Sequence, residues 1–483
     1  MPITRRQLAA LSPAVLLPSW AAQAQAEPTL LAPDGLAVAR MGGQAWLVGE
    51  LGIHNGLATA VELQALAVSA AGRAGPALLH LTGAPLLAAA AGAKGRPAQS
   101  PRVPPGESLV LFLWHRMDMP GDAITSVQVE CSLQGDGAVA VPSLTATLPL
   151  AQPTRLGPPL RGGPWAAVFD PAFAFGHRRA VFVRDGRSYI PARFAIDWIK
   201  LDAQGRPWSG DTGQAFERWH GWGQEVLAVA DGEIVDLRDG RDDVLASKLP
   251  AERWTDEDVA GNYLCLGLGG GRFVFYEHLQ RGSVAVARGQ RVKAGEVIAK
   301  VGRSGVNSSG PHLHFHLADE PSTLQAQGRP YVFAGFRPLG QYGSMDEAEG
   351  GRVWAPLPDG AAPRVHGEMP VPNAVLMFDE PGDSKMYGLI GKMLAKPGQR
   401  DALITILLQN VGAMPGCQSY VVAREPGNEQ AIWITEVWDD KDSHQASLSL
   451  PAVKAAIQRA MPLIQGFEQH QVTEPVGGHG LGG

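Results

Sequence analysis

Short apolar runs between glycine and proline turns dominate the first two thirds of the chain. QAWLVGELGIHN, ESLVLFLWHRM and AITSVQVECSL predict an antiparallel β-sandwich over 27–160. AQPTRLGPPLRGGP (151–164) reads as a linker. Over 165–340, GQEVLAVADGEIVDLRDG, GNYLCLGLGGGRFVFYEHL and GQRVKAGEVIAKVG predict further strands joined by glycine turns. A second linker, rich in glycine, proline and acids, spans 343–373. Over 374–474 the pattern changes. MYGLIGKMLA predicts a strand, and KPGQRDALITILLQNVGAM carries apolar residues at helical spacing. CQSYVVAR and AIWITEVW predict strands about an EPGNEQ turn. SHQASLSLPAVKAAIQRAMPLI predicts a helical segment interrupted by Pro451, and EQHQVTEP a last strand. The order βαββαβ is the split ferredoxin-like unit. The glycine-rich tail, 475–483, is predicted to be disordered. The fold class expected is mainly β with a C-terminal α+β domain.

One apolar alternation carries chemistry. In GPHLHFHL (310–317) a strand places His312, His314 and His316 on one face and Leu313, Phe315 and Leu317 on the other. Side chains two apart sit roughly 6.5 to 7 Å apart. A metal could take one imidazole directly and keep the next nearby. A hydrated histidine stripe on a sheet surface fits the same spacing.

Composition narrows the class. The 483 residues allow two to four domains. A hydrophobic content of 45% and a charged content of 18% fit folded domains. The formal charge of -6 argues against a general nucleic-acid binder. The first 26 residues read as an export signal: Arg5 and Arg6, a modest apolar stretch from Leu8 to Trp20 broken by Pro13 and Pro18, and the cleavage site Ala24-Gln25-Ala26. Thr4-Arg5-Arg6 fits a twin-arginine signal as well as an ordinary secretory one. Both imply a periplasmic or extracellular location, and no later run is long and apolar enough to span a bilayer. Cys131, Cys265 and Cys417 lie too far apart for a CxxC metal site. His54, His80 and His115 are scattered and read as ordinary histidines.

The segments RFAIDW, GWGQEVLAVADGEIV, AGNYLCLG, FYEHLQRGSVAVARGQRVKAGEVIAKVGRSG and SSGPHLHF follow one another over about 150 residues. In this order they resemble the lysostaphin/LytM-type zinc endopeptidases. The resemblance implies a small antiparallel β peptidase domain with zinc in a surface groove. It implies Asp197 and His314 as metal ligands and His278 and His312 as the histidines that position or activate water. Two imidazoles and a carboxylate leave zinc positively charged with an open position. Asp197 alone could cap a turn, and His278 alone could be a strand histidine. His316 has no role in the family and is expected at the rim or surface.

The family's first ligand is a histidine four residues before the aspartate. Here that residue is Arg193, which has no lone pair to give. Two histidines could replace it. A two-residue turn at Asp185-Gly186 would pair Arg184 with Arg187 and set His177 opposite Phe194, about 10 Å along the strand from Asp197. Pro191 could add a bulge and alter that register. His220, in RWHGWG, is the second candidate. Relatives of the family carry a similar HRR…RFAIDW arrangement, which favours His177.

The segments MYGLIGKMLAKPGQRDALITILL, MPGCQSYVVAREPGNEQAIWITEVWDDKDSHQASL and VKAAIQRAMPLI resemble the antibiotic biosynthesis monooxygenase family. That resemblance implies a ferredoxin-like dimeric α/β-barrel domain and a homodimer. Some members oxidise quinol-like substrates without a cofactor. His444 is the polar residue to watch there, although a helix-start surface residue is the simpler reading. The expected function is an exported zinc endopeptidase acting on peptidoglycan peptides. The alternatives are a catalytically inactive regulator of cell-wall hydrolases and a cofactor-free monooxygenase acting through the C-terminal domain.

Overall fold

The structure is a computed structural model. It describes residues 27–476 and 478, apart from 33, 74, 93–94, 118–123, 137–140, 172–175, 185–186, 211–214, 245–254, 307–309, 345, 348–351, 358–363, 379–385, 410–413 and 415. The predicted export signal, the Asp185-Gly186 turn and most of the C-terminal tail lie outside the described residues.

The chain is mainly β with a C-terminal α+β domain. The N-terminal strands form one ten-stranded sheet. Its two halves meet where Leu36–Met41 pairs in parallel with Leu144–Ala151. Leu47, Leu51 and Leu111 from one half and Leu66, Val68 and Val129 from the other fill a single core. In Val61–Ala70 and Ser126–Gly135 buried and less buried side chains largely alternate, whereas Leu36–Met41, Gln44–His54 and much of Ser108–Met117 are buried on both faces.

A second ten-stranded sheet holds the candidate site. At its centre, Phe273–Glu277, Leu313–Ala318, Ile196–Lys200 and Trp165–Val168 lie side by side. Leu313, Phe315 and Leu317 sit in its core with Phe194, Ile196 and Trp198, as the alternation in GPHLHFHL predicts. Burying one face of the strand fixes the histidines on the other, because a one-residue slip would bury imidazoles in that core.

Both sequence-predicted linkers carry structure. In the first, Thr154–Leu156 pairs in parallel with Tyr331–Phe333, and Leu156 and Leu160 are buried in the central core. In the second, Ala355–Pro356 pairs with Arg337–Gln341. Ala374–Met377, assigned from sequence to the C-terminal domain, pairs instead with Trp165–Val168 and Arg337–Gln341 in the central sheet. Its apolar side chains are mostly buried there, so this edge belongs to the peptidase-like body.

The C-terminal domain follows the predicted βαββαβ order. Its sheet runs Cys417–Arg424, Ala431–Trp438, Tyr387–Ala395, Ile464–Thr473. Pro451 does not interrupt a helix; it opens one, Pro451–Ala460, after a separate helix Lys441–Ser447. Proline suits a first turn because the missing N–H is unneeded there. This domain is tied to the body by ion pairs Arg155–Asp439 and Arg364–Asp440. His366 adds contacts of 3.1 Å to Asp439 and 2.8 Å to the Ser443 hydroxyl.

Candidate metal centre

The site begins with a register. Asp197 and His314 are direct partners on neighbouring antiparallel strands, which brings their side chains onto one face. His314 Nδ1 lies 2.9 Å from Asp197 Oδ1. His312, one residue before its strand, has Nε2 3.6 Å from the same oxygen. His177 Nε2 lies 3.2 Å from the other oxygen, Asp197 Oδ2.

His177 reaches this place by a different route from the one its sequence register predicts. The hairpin pairs Arg184 with Arg187 and Phe182 with Tyr189, as the two-residue turn requires. The pairing stops there. His177 lies in a 3-10 turn, His177–Arg179, and not opposite Phe194 on a strand. Residues 191–194 turn rather than continue the strand, and Pro191 cannot donate to a ladder. His220 stands elsewhere, with Nε2 3.8 Å from Asp202.

His278 ends its strand in a left-handed conformation, with φ 63°. Such a φ is uncommon for a residue with a Cβ and marks a local constraint. The turn carries its ring to 4.9 Å from the His312 ring and 5.8 Å from the His314 ring. Its Nδ1 lies 2.9 Å from the Ser304 carbonyl oxygen. His312 Nδ1 lies 2.8 Å from the Gly310 carbonyl oxygen. A carbonyl only accepts, so each Nδ1 carries the proton and each Nε2 keeps its lone pair.

The electrostatics agree with that assignment. Burial drives the His312 imidazole down to about 4. Burial, and then the charges of His312 and His314, push His278 well below its ordinary range. At Asp197 burial opposes the charge, but the neighbouring His177 and His312 and the bonds from His177 and His314 outweigh it. Its carboxylate is held well below the usual range.

His177, Asp197 and His314 offer donor atoms that all lie within 4.8 Å of one another. Two imidazoles and one carboxylate with a partly exposed edge match a catalytic zinc set. The opening lies at His177, whose side chain is 26% exposed. These three residues therefore fit the metal that the sequence resemblance implies.

Two residues at the site carry more than sequence reasoning gave them. His316, expected at the rim, is 1% exposed and stacked on Phe275 at 4.9 Å. Neither of its ring nitrogens has a hydrogen-bond partner among the described residues. Glu277 stands opposite His314 on the other side, buried, with its carboxyl raised by burial. Alternation in FYEHL alone separates Glu277 from His278; the pairing of Glu277 with His314 puts it on the histidine face, and no local pattern signals that.

The arginine in place of the usual ligand points away from the site. Arg193 donates through Nε to Glu50 Oε2 at 2.7 Å and through Nη1 to the Gly328 carbonyl at 2.8 Å. In the C-terminal domain, His444 is half-buried beside the rings of Tyr387 and Trp438, at 5.3 Å and 5.5 Å. It lies in the short helix Lys441–Ser447 and is partly exposed, near the helix start as the sequence suggests.

Comparison with known proteins divides the chain in the same way. Residues 220–326 match the family described as Peptidase family M23, and residues 386–459 match Antibiotic biosynthesis monooxygenase. Among solved structures, the chain is similar to a protein from Chloroflexus aurantiacus J-10-fl assigned as an antibiotic biosynthesis monooxygenase. The identity is 63% over 20% of this chain and 99% of that one, with a TM-score of 0.20. A protein from Caulobacter crescentus CB15 with the same assignment is 18% identical over 20% of this chain and 92% of that one, with a TM-score of 0.19. No curated protein matches the chain. The chain thus joins a peptidase family M23 segment to an antibiotic biosynthesis monooxygenase segment.

Proposed function

We propose that the protein is an exported zinc endopeptidase that hydrolyses peptide bonds of bacterial peptidoglycan. The observation that carries this reading is the convergence of His177, Asp197 and His314 within 4.8 Å, beside the rings of His312 and His278, which lie 4.9 Å from each other. Peptidases of this family are zinc-dependent. Bound zinc would supply Lewis acidity toward the scissile carbonyl and a more acidic water.

The protein's own groups do the rest. His177, Asp197 and His314 would hold the metal. His278 and His312 are neutral bases whose Nδ1–H groups are tied to the Ser304 and Gly310 carbonyls. Each can take a proton at Nε2 and return it to the leaving amine. Burial keeps both neutral before substrate arrives, because it disfavours their charged forms.

The leader over residues 1–26, with Arg5 and Arg6, the apolar stretch from Leu8 to Trp20 and the site Ala24-Gln25-Ala26, supports export, and among the described residues no helix is long and apolar enough to cross a membrane. The N-terminal sheet is read as a sandwich that positions the peptidase, with domain limits of 27–160 and 165–378. The C-terminal domain from 386 is read as a dimeric α/β-barrel. His444 beside Tyr387 and Trp438 favours a second reading for that domain, as a pocket for a flat aromatic substrate of the quinol type.

Metal analysis of the purified mature chain tests the main reading. One zinc per chain is expected. A chain that takes up no zinc at micromolar metal would contradict it.

A further inference from the structure

His177 lies in a turn whose next two residues grip the N-terminal domain. Arg178 is buried and donates through Nη2 to the Leu113 carbonyl at 3.0 Å. Its guanidinium lies 5.6 Å from the Phe112 ring centre and 5.4 Å from that of Trp114. Arg179 lies 4.1 Å from the Phe112 ring centre and donates to the Gly95 carbonyl at 3.3 Å. On the other side of the site, Arg193 precedes Asp197 by four residues and reaches into the same domain. It meets Glu50 at 2.7 Å and Asp34 at 3.3 Å.

The two arms meet at one carboxylate. Glu50 is 5% exposed, and its oxygens lie 2.7 Å from Arg193 and 3.9 Å from Arg178. Glu50 thus bridges Arg178, next to the candidate ligand His177, and Arg193, four residues before the candidate ligand Asp197. His177 is partly exposed, and its ring contacts the Ala195 carbonyl at 3.3 Å, Asp197 at 3.2 Å and the His314 ring at 4.8 Å. Its place is set by the backbone turn, and the turn is anchored by Arg178 and Arg179.

We infer that Glu50 is a positioning residue for the metal centre, acting through Arg178 and Arg193 to hold His177 and Asp197 at ligand spacing. The inference rests on the zinc reading of that site. A ligand carried on a turn has no strand ladder to fix it, so the second domain supplies the constraint. A buried carboxylate between two guanidiniums holds one geometry, and removing it leaves buried positive charge without compensation. Groups that orient ligands typically contribute about tenfold to hundredfold in metal affinity. Zinc retention by the peptidase-like body then depends on the docking of the N-terminal sheet.

The test is zinc affinity of the full mature chain, measured by competition with a chromophoric chelator, with folding followed by circular dichroism. Glu50→Gln should bind zinc about tenfold to hundredfold more weakly. Asp34→Asn should show a smaller loss. Asp136→Asn, at the exposed Arg102–Asp136 pair on the same domain, should bind as the wild type does. A folded Glu50→Gln with wild-type zinc affinity overturns the inference, even if its thermal stability falls. Should Glu50→Gln fail to fold, Asp34→Asn decides: weakened binding supports the inference and unchanged binding overturns it. A wild type that binds no zinc overturns the zinc reading and the inference together, whereas a zinc-binding wild type beside an unaffected Glu50→Gln overturns the inference alone.

Discussion

Asp197 and His314 face each other across two antiparallel strands, with Nδ1 2.9 Å from Oδ1. Either residue alone has an ordinary explanation. Together, and with His177 on the second carboxylate oxygen at 3.2 Å, they form a donor set that a hydrated surface stripe would not need. Replacing His314 by Ala should lower zinc affinity by more than about a hundredfold, beyond the usual effect of an outer group. His312→Ala should keep the zinc and lose about a hundredfold or more in peptide hydrolysis. Full zinc uptake by His314→Ala in metal analysis would remove this ligand assignment.

The choice between the two candidate third ligands is equally direct. His177→Ala should lose zinc, and His220→Ala should retain it, since His220 stands with Asp202 at 3.8 Å. Isothermal titration of each metal-free variant with zinc separates the outcomes. Tight binding by His177→Ala with loss in His220→Ala would reverse the choice.

Much of this was legible from residues alone, for a physical reason. Strand alternation is local, so GPHLHFHL places its histidines on one face whatever the rest of the chain does. The Arg184–Arg187 pairing likewise follows from a two-residue turn. What failed depends on partners far away in sequence. Ala374–Met377 is a four-residue apolar run, and nothing in such a run says which sheet will take it. His177 was reached by a 3-10 turn because Arg178 and Arg179 dock on Phe112, a contact no local pattern encodes. His316 looked like a rim residue because its cover, Phe275, comes from a neighbouring strand.

The buried imidazoles give the metal-free protein an acid-sensitive fold. Burial drives His312 down to about 4 and His278 well below its ordinary range. Unfolded histidine binds its proton below about 6.5. Between those limits the unfolded chain holds more protons, so stability is present above about pH 6.5 and is lost as pH falls toward 4. His314 offsets part of this: against the pull of burial, the Asp197 bond and the Glu277 charge raise it. Urea unfolding of the metal-free chain should show a lower midpoint at pH 5 than at pH 7.5, with a smaller difference in His312→Gln. An identical midpoint at both pH values would contradict the assignment of neutral buried histidines.

The C-terminal sheet should pair with a second copy. Its helices cover the face of Ile432, Ile434 and Val422. On the opposite face Val421 and Ile390 flank Thr435, with Trp433 and Val437 nearby. Val421 is 52% exposed and the other apolar residues are partly exposed. An apolar face of this kind calls for a cover, and two-fold pairing supplies one. Light scattering should give a dimer for the mature chain and a monomer for a chain ending at Phe378, which keeps the strand Ala374–Met377 in its sheet. A monomeric mature chain would oppose this.

The central claim is that the centre at His177, Asp197 and His314 cuts peptide bonds. The most direct measurement is mass spectrometry of soluble fragments released from purified peptidoglycan by the mature chain loaded with one zinc. The account predicts fragments with newly cleaved peptide bonds, lost on chelation, restored by zinc and absent with His312→Ala. A chain that binds its zinc tightly and releases no peptide-cleaved fragment would contradict it and leave a regulator in its place.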